Sequence, residues 1–402
     1  MNPEARISLA LGAQWMSTLY IGLVSFGLSF YLGRVLGPEG FGTYAYILTL
    51  ASLFLILQDG GYKNLIYREK TLPSSDLSAC LDHLLPFALG HALAVTLAGF
   101  VLALLVAWPE PAALLAAVTC FGAQAVVLFI SSEIRARGRF VQDALWQAAA
   151  RTMSGVSIVA AVVLIAPTPF TIFAAWSLGL VLCLIPGTLI RLPRPRLSGY
   201  WLKAVRGPCL AFMAVNAATT VYYRCDIILL QHMTDFQAAV GQYAAAYRFL
   251  DGVVLLAGSL GAIWFRDLRL LCRERQRFWE RLKRMLVLML SAAVVIAILG
   301  TWFNQEILLM TFGGEFAAAA ALLPWLLAAL IFILPNTVLT QAAIAQNREG
   351  VYALAASLGA GVNIGLNLIL IPGFGSLGAA WATVATEASL SVCLLWGLVK
   401  KQ

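Results

Sequence analysis

Charged residues are scarce in this sequence. Asp, Glu, Lys and Arg make up 11% of its 402 residues, whereas a soluble domain carries about a quarter. Hydrophobic residues make up 61%, and the mean hydropathy is +0.85. This composition excludes an ordinary soluble globular protein and predicts a chain that crosses a lipid bilayer several times.

Motifs for metal, disulfide or nucleotide chemistry are also missing. The seven cysteines form no C-x-x-C pair, and the three histidines form no H-E-x-x-H motif. No G-x-x-x-x-G-K-[S/T] sequence occurs, so no nucleotide-hydrolysing motor is expected in this chain. Most cysteines lie in or beside apolar segments and are interpreted as buried thiols. We therefore expect no metal site, no cofactor and no disulfide framework.

The net charge of +8 could suggest a nucleic-acid-binding protein. Such proteins concentrate their basic residues on one face of the molecule. Here the bases are divided among short loops between apolar segments, and no basic face with interleaved aromatic residues is found. The sequence therefore predicts no nucleic-acid partner.

Long apolar segments occupy most of the chain. A membrane-spanning helix needs about 20 predominantly apolar residues, and about twelve segments reach this length. They are expected to be helices, because a backbone exposed to lipid must form its hydrogen bonds within its own segment. The sequence thus predicts an all-α polytopic membrane protein. The predicted segments are 7–32, 41–62, 84–107, 111–131, 144–166, 169–190, 205–231, 239–264, 285–303, 317–344, 351–371 and 376–399.

Basic residues alternate between the loops that join these segments. All but four of the 27 Lys and Arg residues lie at the termini or in loops that follow even-numbered segments. The exceptions are Arg34, in an odd-numbered loop, and Arg151, Arg224 and Arg248, within segments. Because loops rich in Lys and Arg stay on the cytoplasmic side, both termini are predicted to be cytoplasmic.

The two halves of the chain share a short repeat. The sequence GTYA (42–45) begins the second segment, and GQYA (241–244) begins the eighth, 199 residues later. Because six segments per half is an even number, both halves would enter the membrane from the same side. We therefore predict an N-lobe of residues 1–197 and a C-lobe of residues 198–402, with the boundary in the charged loop 191–206.

The arginines within segments are the first candidates for a functional site, because a charge inside a membrane is costly. Arg224 and Arg248, on the seventh and eighth segments, are predicted to lie roughly 10–14 Å below the outer surface. Asp226 and Asp251 are near them in sequence, so the four side chains could share one polar site. Ion pairs that fix helix packing, for example Asp226 with Arg248, are one interpretation. A cationic wall that faces an anionic substrate such as a phosphate is the other.

Arg151 and Glu387 are further candidates. Arg151 lies about eight residues into the fifth segment, so its long side chain could reach the cytoplasmic interface or contact the same anion from the inner half of the membrane. Glu387, near the middle of the twelfth segment, has no basic residue nearby in sequence. It could take up a proton, bind a cation, or stay protonated and hydrogen-bonded to a neighbouring helix. Asp226, Asp251 and Glu387 are the candidates for coupling to H⁺ or Na⁺.

Three ordered motifs extend over most of the chain. They are GRVLGPEGFGTY at 33–44, the run R-x-D … V-G-x-Y-x-A … R between 224 and 248, and VNIxxNLxLIPxxGxxGAAxAT at 362–383. Their order and spacing resemble the polysaccharide (O-antigen type) flippases. This family belongs to the multidrug/oligosaccharidyl-lipid/polysaccharide exporter (MOP) superfamily.

The resemblance implies two six-helix lobes that form a V around a central cavity. It implies alternating access that carries an undecaprenyl-diphosphate-linked oligosaccharide from the cytoplasmic to the periplasmic leaflet of the bacterial inner membrane, for lipopolysaccharide O-antigen or exopolysaccharide. The cation-lined cavity of the family corresponds to Arg224 and Arg248, which lie in the second motif, whereas Arg151 is inferred from its own position. A polysaccharide polymerase and a ligase are further partners to consider. No covalent chemistry is expected, so the protein is predicted not to be an enzyme.

Two other functions are alternatives to this one. A cation-coupled multidrug exporter has the same fold, but a pump for cationic compounds should favour net acidic cavity groups, and here two arginines offset two aspartates. A membrane glycosyltransferase or polymerase usually has a large loop or soluble domain with catalytic carboxylates. The longest loop of this sequence has only about twenty residues.

Overall fold

The computed structural model of the protein describes residues 3–71, 78–105, 110–187, 199–234 and 237–399. Throughout these ranges the backbone is almost entirely helical, and no β-strand occurs within them. The predicted all-α fold is therefore confirmed. The predicted lobe boundary after residue 197 lies outside the described residues and stays a prediction.

The described part of the chain forms α-helices joined by short turns and two 3₁₀ helices, η1 and η2. The helices are α1 (Pro3–Asp59), α2 (Tyr62–Thr71), η1 (Ser78–His83), α3 (Leu84–Leu105), α4 (Pro111–Ala136), α5 (Phe140–Leu164), α6 (Pro169–Gly187), α7 (Gly199–Met233), α8 (Gln237–Leu271), α9 (Arg275–Trp302), α10 (Asn304–Thr311), η2 (Gly314–Ala321), α11 (Leu323–Ala345) and α12 (Glu349–Val399).

Half of the fourteen described helices are candidates to cross a bilayer. Among the described residues, seven are long and apolar enough by length and composition: α1, α3, α4, α5, α9, α11 and α12. Helix α6 is apolar but shorter. Helices α7 and α8 are 35 residues long each and carry charged side chains among their apolar residues. The protein is therefore a multi-pass membrane protein.

The two longest helices are each broken by a glycine. In α1 the break is at Gly37, whose φ of 66° lies in the left-handed region, and Pro38 follows it. In α12 the break is at Gly375, with φ of 55°, shortly after Pro372. Left-handed backbone favours glycine, and proline cannot donate a backbone hydrogen bond. Each of these helices therefore contains two of the predicted membrane segments.

The tenth predicted segment differs from the structure at its start. Residues 314–321 form the tighter η2, and α11 begins only at Leu323. Pro324 lies in the first turn of α11. Backbone N–H groups in the first turn have no acceptor within the helix, so proline, which lacks this group, costs no hydrogen bond there. This proline therefore starts a helix, whereas Pro335 lies inside one.

The chain folds into two compact units. Unit 1 comprises Met1–Leu28 and Ile47–Thr220, and unit 2 comprises Ser29–Tyr46 and Val221–Gln402. In unit 1, the apolar side of α2 packs against α3, α4 and the first part of α7. The buried cluster there comprises Tyr62, Leu65, Ile66, Leu84, Leu85, Phe87, Ala88, Ala92, Ala125, Phe129, Val205 and Cys209.

In unit 2, the two copies of the short repeat lie against each other. A Cβ atom on Gly42 would lie 2.5 Å from the carbonyl oxygen of Gln237, and one on Gly241 would overlap the carbonyl oxygen of Pro38. Backbones approach this closely where glycine leaves room for them. The repeated glycine therefore marks a direct backbone contact between α1 and α8.

Arg34, the base in an odd-numbered loop, has a structural role in unit 2. Its guanidinium donates hydrogen bonds to the carbonyl oxygens of Met310 at 2.5 Å and Thr311 at 2.8 Å, at the end of α10. The last carbonyls of a helix lack partners within the helix, and its negative end favours a cation. This contact explains why Arg34 is a basic residue in an odd-numbered loop, where the charge pattern predicts none.

Candidate functional site

Two arginines share one carboxylate in unit 2. Nη1 of Arg224, on α7, lies 3.7 Å from Oδ2 of Asp251, on α8. Nη1 of Arg248 lies 3.3 Å from the same oxygen. Arg248 and Asp251 are three residues apart on one helix, so their side chains lie on the same face. Arg224, Arg248 and Asp251, three of the four predicted site residues, therefore lie together.

This cluster carries one net positive charge and is partly exposed. The side chains of Arg224, Arg248 and Asp251 are 29%, 17% and 28% exposed. One carboxylate can satisfy only part of the hydrogen-bonding capacity of two guanidinium groups, each of which has five N–H donors. The remaining donors suit an anion with several oxygens, such as a phosphate.

Asp226 does not join this cluster by an ion pair. Its side chain is 3% exposed and accepts a hydrogen bond from the hydroxyl of Tyr243, and another from the backbone N–H of Ile227 at 2.9 Å. The suggested pair between Asp226 and Arg248 is not formed. Residues two apart on a helix do not face each other, which explains why Asp226 and Arg224 have different partners.

Glu387 lies between donors from two neighbouring helices. The hydroxyl of Tyr222 on α7 donates to its Oε1, and Nδ2 of Asn336 on α11 donates to its Oε2 at 2.9 Å. Asn336 is held in turn by the hydroxyl of Ser391, which donates to its Oδ1 at 2.7 Å. Glu387 is only 3% exposed. The carboxyl group that has no basic residue nearby in sequence is thus hydrogen-bonded to neighbouring helices at both oxygens, as one of the interpretations of Glu387 predicted.

A second buried polar contact joins α7 to α12. The thiol of Cys225 donates to Oδ1 of Asn363 at 2.8 Å, and Nδ2 of Asn367 donates to the same oxygen at 3.0 Å. Tyr243 also lies 3.4 Å from the hydroxyl of Thr383 on α12. Polar side chains of four helices therefore bond to one another in unit 2.

The sequence did not predict that Tyr222, Tyr243 and Asn336 belong to this network. Tyr222 and Tyr243 lie among apolar residues, where an aromatic side chain is usually part of the core. The available signal was the position of Tyr222 and Tyr243 beside charged or motif residues. Nothing in the sequence indicates which hydroxyl bonds to which carboxyl group.

Arg151 lies in unit 1, on α5. Its Cζ is 5.4 Å from the centre of the Trp176 ring on α6, a cation–π geometry. The side chain is half-buried. Whether it contacts a substrate stays a prediction.

Unit 1 contains two buried acidic residues, Glu133 and Asp143, that were not predicted from the sequence. Glu133, 3% exposed, lies 2.7 Å from Nζ of Lys70 and 2.6 Å from Nη2 of Arg137. Asp143 is fully buried and lies 3.6 Å from Nε of Arg135. Buried carboxylates need such partners. The bases that predict the topology therefore also form ion pairs at the ends of α2, α4 and α5.

The helical architecture defines a class, the polytopic membrane proteins with the fold of MOP-superfamily transporters. The lipid II flippase MurJ, in an inward closed conformation, has a TM-score of 0.78 at 14% identity, covering 98% of this chain and 87% of that one. An inward-facing multidrug resistance MATE transporter has a TM-score of 0.72 at 12% identity, with coverages of 95% and 97%. A MOP-superfamily transporter from Pyrococcus furiosus has a TM-score of 0.59 at 12% identity, with coverages of 98% and 93%.

The chain belongs to the polysaccharide biosynthesis protein family, whose model matches residues 11–265. No curated protein sequence matches it. The resemblance found in the three sequence motifs is therefore confirmed at the level of family and superfamily fold. The three solved structures described above are flippases or transporters, not catalytic enzymes.

Proposed function

We propose that this protein is a flippase that moves an undecaprenyl-diphosphate-linked oligosaccharide from the cytoplasmic to the periplasmic leaflet of the bacterial inner membrane. Alternating access between two lobes, 1–197 and 198–402, would carry the substrate across for surface polysaccharide synthesis. Membership of the polysaccharide biosynthesis family supports this function. The observation that carries the proposal is the partly exposed pair Arg224 and Arg248, which shares a single carboxylate.

The diphosphate of the substrate would bind to this pair. A diphosphate presents more negative oxygens than the carboxylate of Asp251, and guanidinium groups bind phosphate through two parallel hydrogen bonds. Asp251 would orient both arginines while the site is empty. Arg151 is a candidate for a further contact from the other lobe. The prenyl chain would stay in lipid while the sugars pass through a hydrated cavity.

Coupling to H⁺ or Na⁺ would use Asp251, Asp226 or Glu387. Asp251 is the one of these three that contacts both arginines. Its protonation would release the two guanidinium groups for the diphosphate. Asp226 and Glu387 are bonded to tyrosine hydroxyls and would act through helix packing instead.

Complementation of a strain depleted of the protein tests the arginine pair. Arg224→Ala and Arg248→Ala should each abolish surface polymer while the protein level in the membrane is maintained. Arg277→Ala is the matched control, because Arg277 pairs with the exposed Glu274 at 2.6 Å, outside the membrane segments. If surface polymer persists in both single variants, the anion site is wrong.

A cation-coupled multidrug exporter is the alternative function. The shared fold with MATE transporters and the buried carboxyl groups of Asp226 and Glu387 favour it. The net positive charge of the Arg224–Asp251–Arg248 cluster argues against a cationic substrate there. A drug-susceptibility panel on a deletion strain separates the two functions, since an exporter predicts sensitivity to cationic drugs and unchanged glycans.

A further inference from the structure

A basic cavity lies in unit 2, far from the paired arginines. Its volume is about 970 Å³, and the four arginines that line it are Arg269, Arg273, Arg275 and Arg348. None of the described residues that line it is Asp or Glu. Arg269 follows Arg248 by 21 positions on α8, which places them about 30 Å apart along the helix. The cavity is therefore separate from the site proposed for transport.

Two of these arginines are held in place by helix ends. Arg269 donates to the carbonyl oxygen of Ala345 at 2.6 Å and to Oδ1 of Asn347 at 2.8 Å. Arg348 donates to the carbonyl oxygen of Gly397 at 2.8 Å. These acceptors lie at the ends of α11 and α12, where the partial negative charge of a helix favours a cation. The side chains are thus ordered before any ligand binds, which lowers the entropy lost on binding.

Arg273 and Arg275 carry charges that no carboxylate of the described residues offsets. Within the described residues, neither of them forms an ion pair. The nearest acidic side chains in sequence have other partners. Glu274 pairs with Arg277 at 2.6 Å and Asp267 pairs with Arg281 at 2.5 Å. Glu280 accepts a hydrogen bond from Nε2 of Gln276 at 2.9 Å. The cavity therefore carries a positive charge that an anionic ligand would neutralise.

The cavity also has apolar walls and lies where membrane helices end. Phe278 and Trp279, at the start of α9, and Leu398 and Val399, at the end of α12, contribute to its lining. Helices α9, α11 and α12 are all candidate spans, so the cavity lies near the bilayer surface. The charge pattern of the loops predicts that this surface is cytoplasmic. Basic pockets between helix ends on that side suit anionic lipid headgroups.

We propose that this cavity binds the phosphate headgroup of an anionic phospholipid of the cytoplasmic leaflet. The arginines would contact the phosphate, while the acyl chains would stay in the bilayer beside the apolar walls. This inference does not rest on the proposed transport function, because it depends on neither Arg224 nor Arg248.

Lipid binding to the purified full-length protein tests the proposal. Phosphatidylglycerol would be titrated in detergent and bound lipid measured by native mass spectrometry, with phosphatidylcholine as the zwitterionic lipid. Arg273→Gln/Arg275→Gln should weaken phosphatidylglycerol binding roughly thirtyfold, at about fivefold for each arginine lost near an anionic headgroup. The charge-preserving Arg273→Lys/Arg275→Lys should retain most of the binding.

Arg277→Gln/Arg281→Gln is the matched control. It removes two positive charges from the same part of the chain, the turn before α9 and the start of α9, but both arginines are paired with carboxylates outside the cavity. This control should change the affinity by less than about threefold. Thermal unfolding of each variant without lipid verifies that the fold is intact.

Three results would overturn the proposal. Equal losses in the two glutamine variants would mean that only general surface charge attracts the lipid. Equal binding of phosphatidylcholine and phosphatidylglycerol would show that the arginines do not recognise an anion. Displacement of phosphatidylglycerol by inorganic pyrophosphate at an equal concentration would show a site for soluble anions or for a diphosphate, not for a phospholipid.

Discussion

At the residue scale, the proposed substrate depends on the balance of charge around Asp251. One carboxylate lies 3.7 Å from Arg224 and 3.3 Å from Arg248, so one positive charge is left over within the predicted membrane segments of α7 and α8. Such a charge is costly in a membrane unless a ligand or water-filled cavity stabilises it. A multiply charged phosphate would offset that cost better than a neutral or cationic substrate.

The shape of the Arg248 side chain, as well as its charge, should affect how tightly the substrate binds. Arg248→Lys keeps the positive charge but loses the planar fork that binds phosphate through two hydrogen bonds. Losing one hydrogen bond to a charged group should weaken substrate affinity on the order of tenfold. Surface polymer should be reduced in Arg248→Lys and absent in Arg248→Ala. Full display in both variants at equal protein level would contradict a phosphate contact.

Substitutions of Glu387 separate a structural role from a coupling role. Glu387→Leu leaves the buried donors of Tyr222 and Asn336 without an acceptor, which should lower the free energy of unfolding by about 1–3 kcal/mol for each donor. Glu387→Gln keeps one carbonyl acceptor and should be less destabilising. Thermal unfolding in detergent measures both variants. If Glu387→Gln is stable and transport by it loses its dependence on pH, the carboxyl group has a coupling role.

At the element scale, helix breaks and close contacts depend on glycine. A Cβ atom on Gly241 would overlap the carbonyl oxygen of Pro38, whereas one on Gly258, also on α8, has no atom within 4 Å. The backbone around Pro38 cannot move as a flexible side chain could. The contact between α1 and α8 therefore has little tolerance for any side chain.

Gly241→Ala should accordingly destabilise the protein, and Gly258→Ala should not. Alanine at an open helical position is favoured over glycine by up to about 1 kcal/mol. The thermal midpoint in detergent should fall for Gly241→Ala and stay the same or rise for Gly258→Ala. Equal midpoints for the two variants would mean that the close contact on α8 is not needed for stability.

The long helices of this protein could be predicted from sequence, but most of their polar contacts could not. Apolar runs of fixed length predict spans directly, and Gly37 and Gly375 mark the breaks in α1 and α12. The proximity of Arg224 to Asp251 followed from their similar depth on neighbouring helices. The pairing of Asp226 with Tyr243 did not, because it depends on how each helix is rotated about its axis.

At the scale of the whole molecule, the distribution of Lys and Arg predicts one orientation in the membrane. The predicted cytoplasmic loops include the turn at Cys272, which is exposed. The exposed Glu306, on α10, lies in a predicted periplasmic loop. The two positions therefore offer a matched pair of probes for opposite sides of the membrane.

Labelling with a membrane-impermeant maleimide tests this orientation. A variant with Cys272 as its single cysteine should react in inside-out vesicles and not in intact spheroplasts. A single-cysteine variant carrying Glu306→Cys should show the opposite pattern. If Cys272 reacts in intact spheroplasts, the predicted topology is wrong, and so is the predicted cytoplasmic location of the termini.

The most direct test of the flippase function is the leaflet that holds the lipid-linked oligosaccharide when the protein is depleted. Undecaprenyl-linked glycans would be quantified, and their accessibility from the periplasm would be compared before and after depletion. Accumulation on the cytoplasmic leaflet, together with loss of surface polymer, is the predicted result. Unchanged glycans with an unchanged periplasmic pool would contradict the flippase function and favour the multidrug exporter.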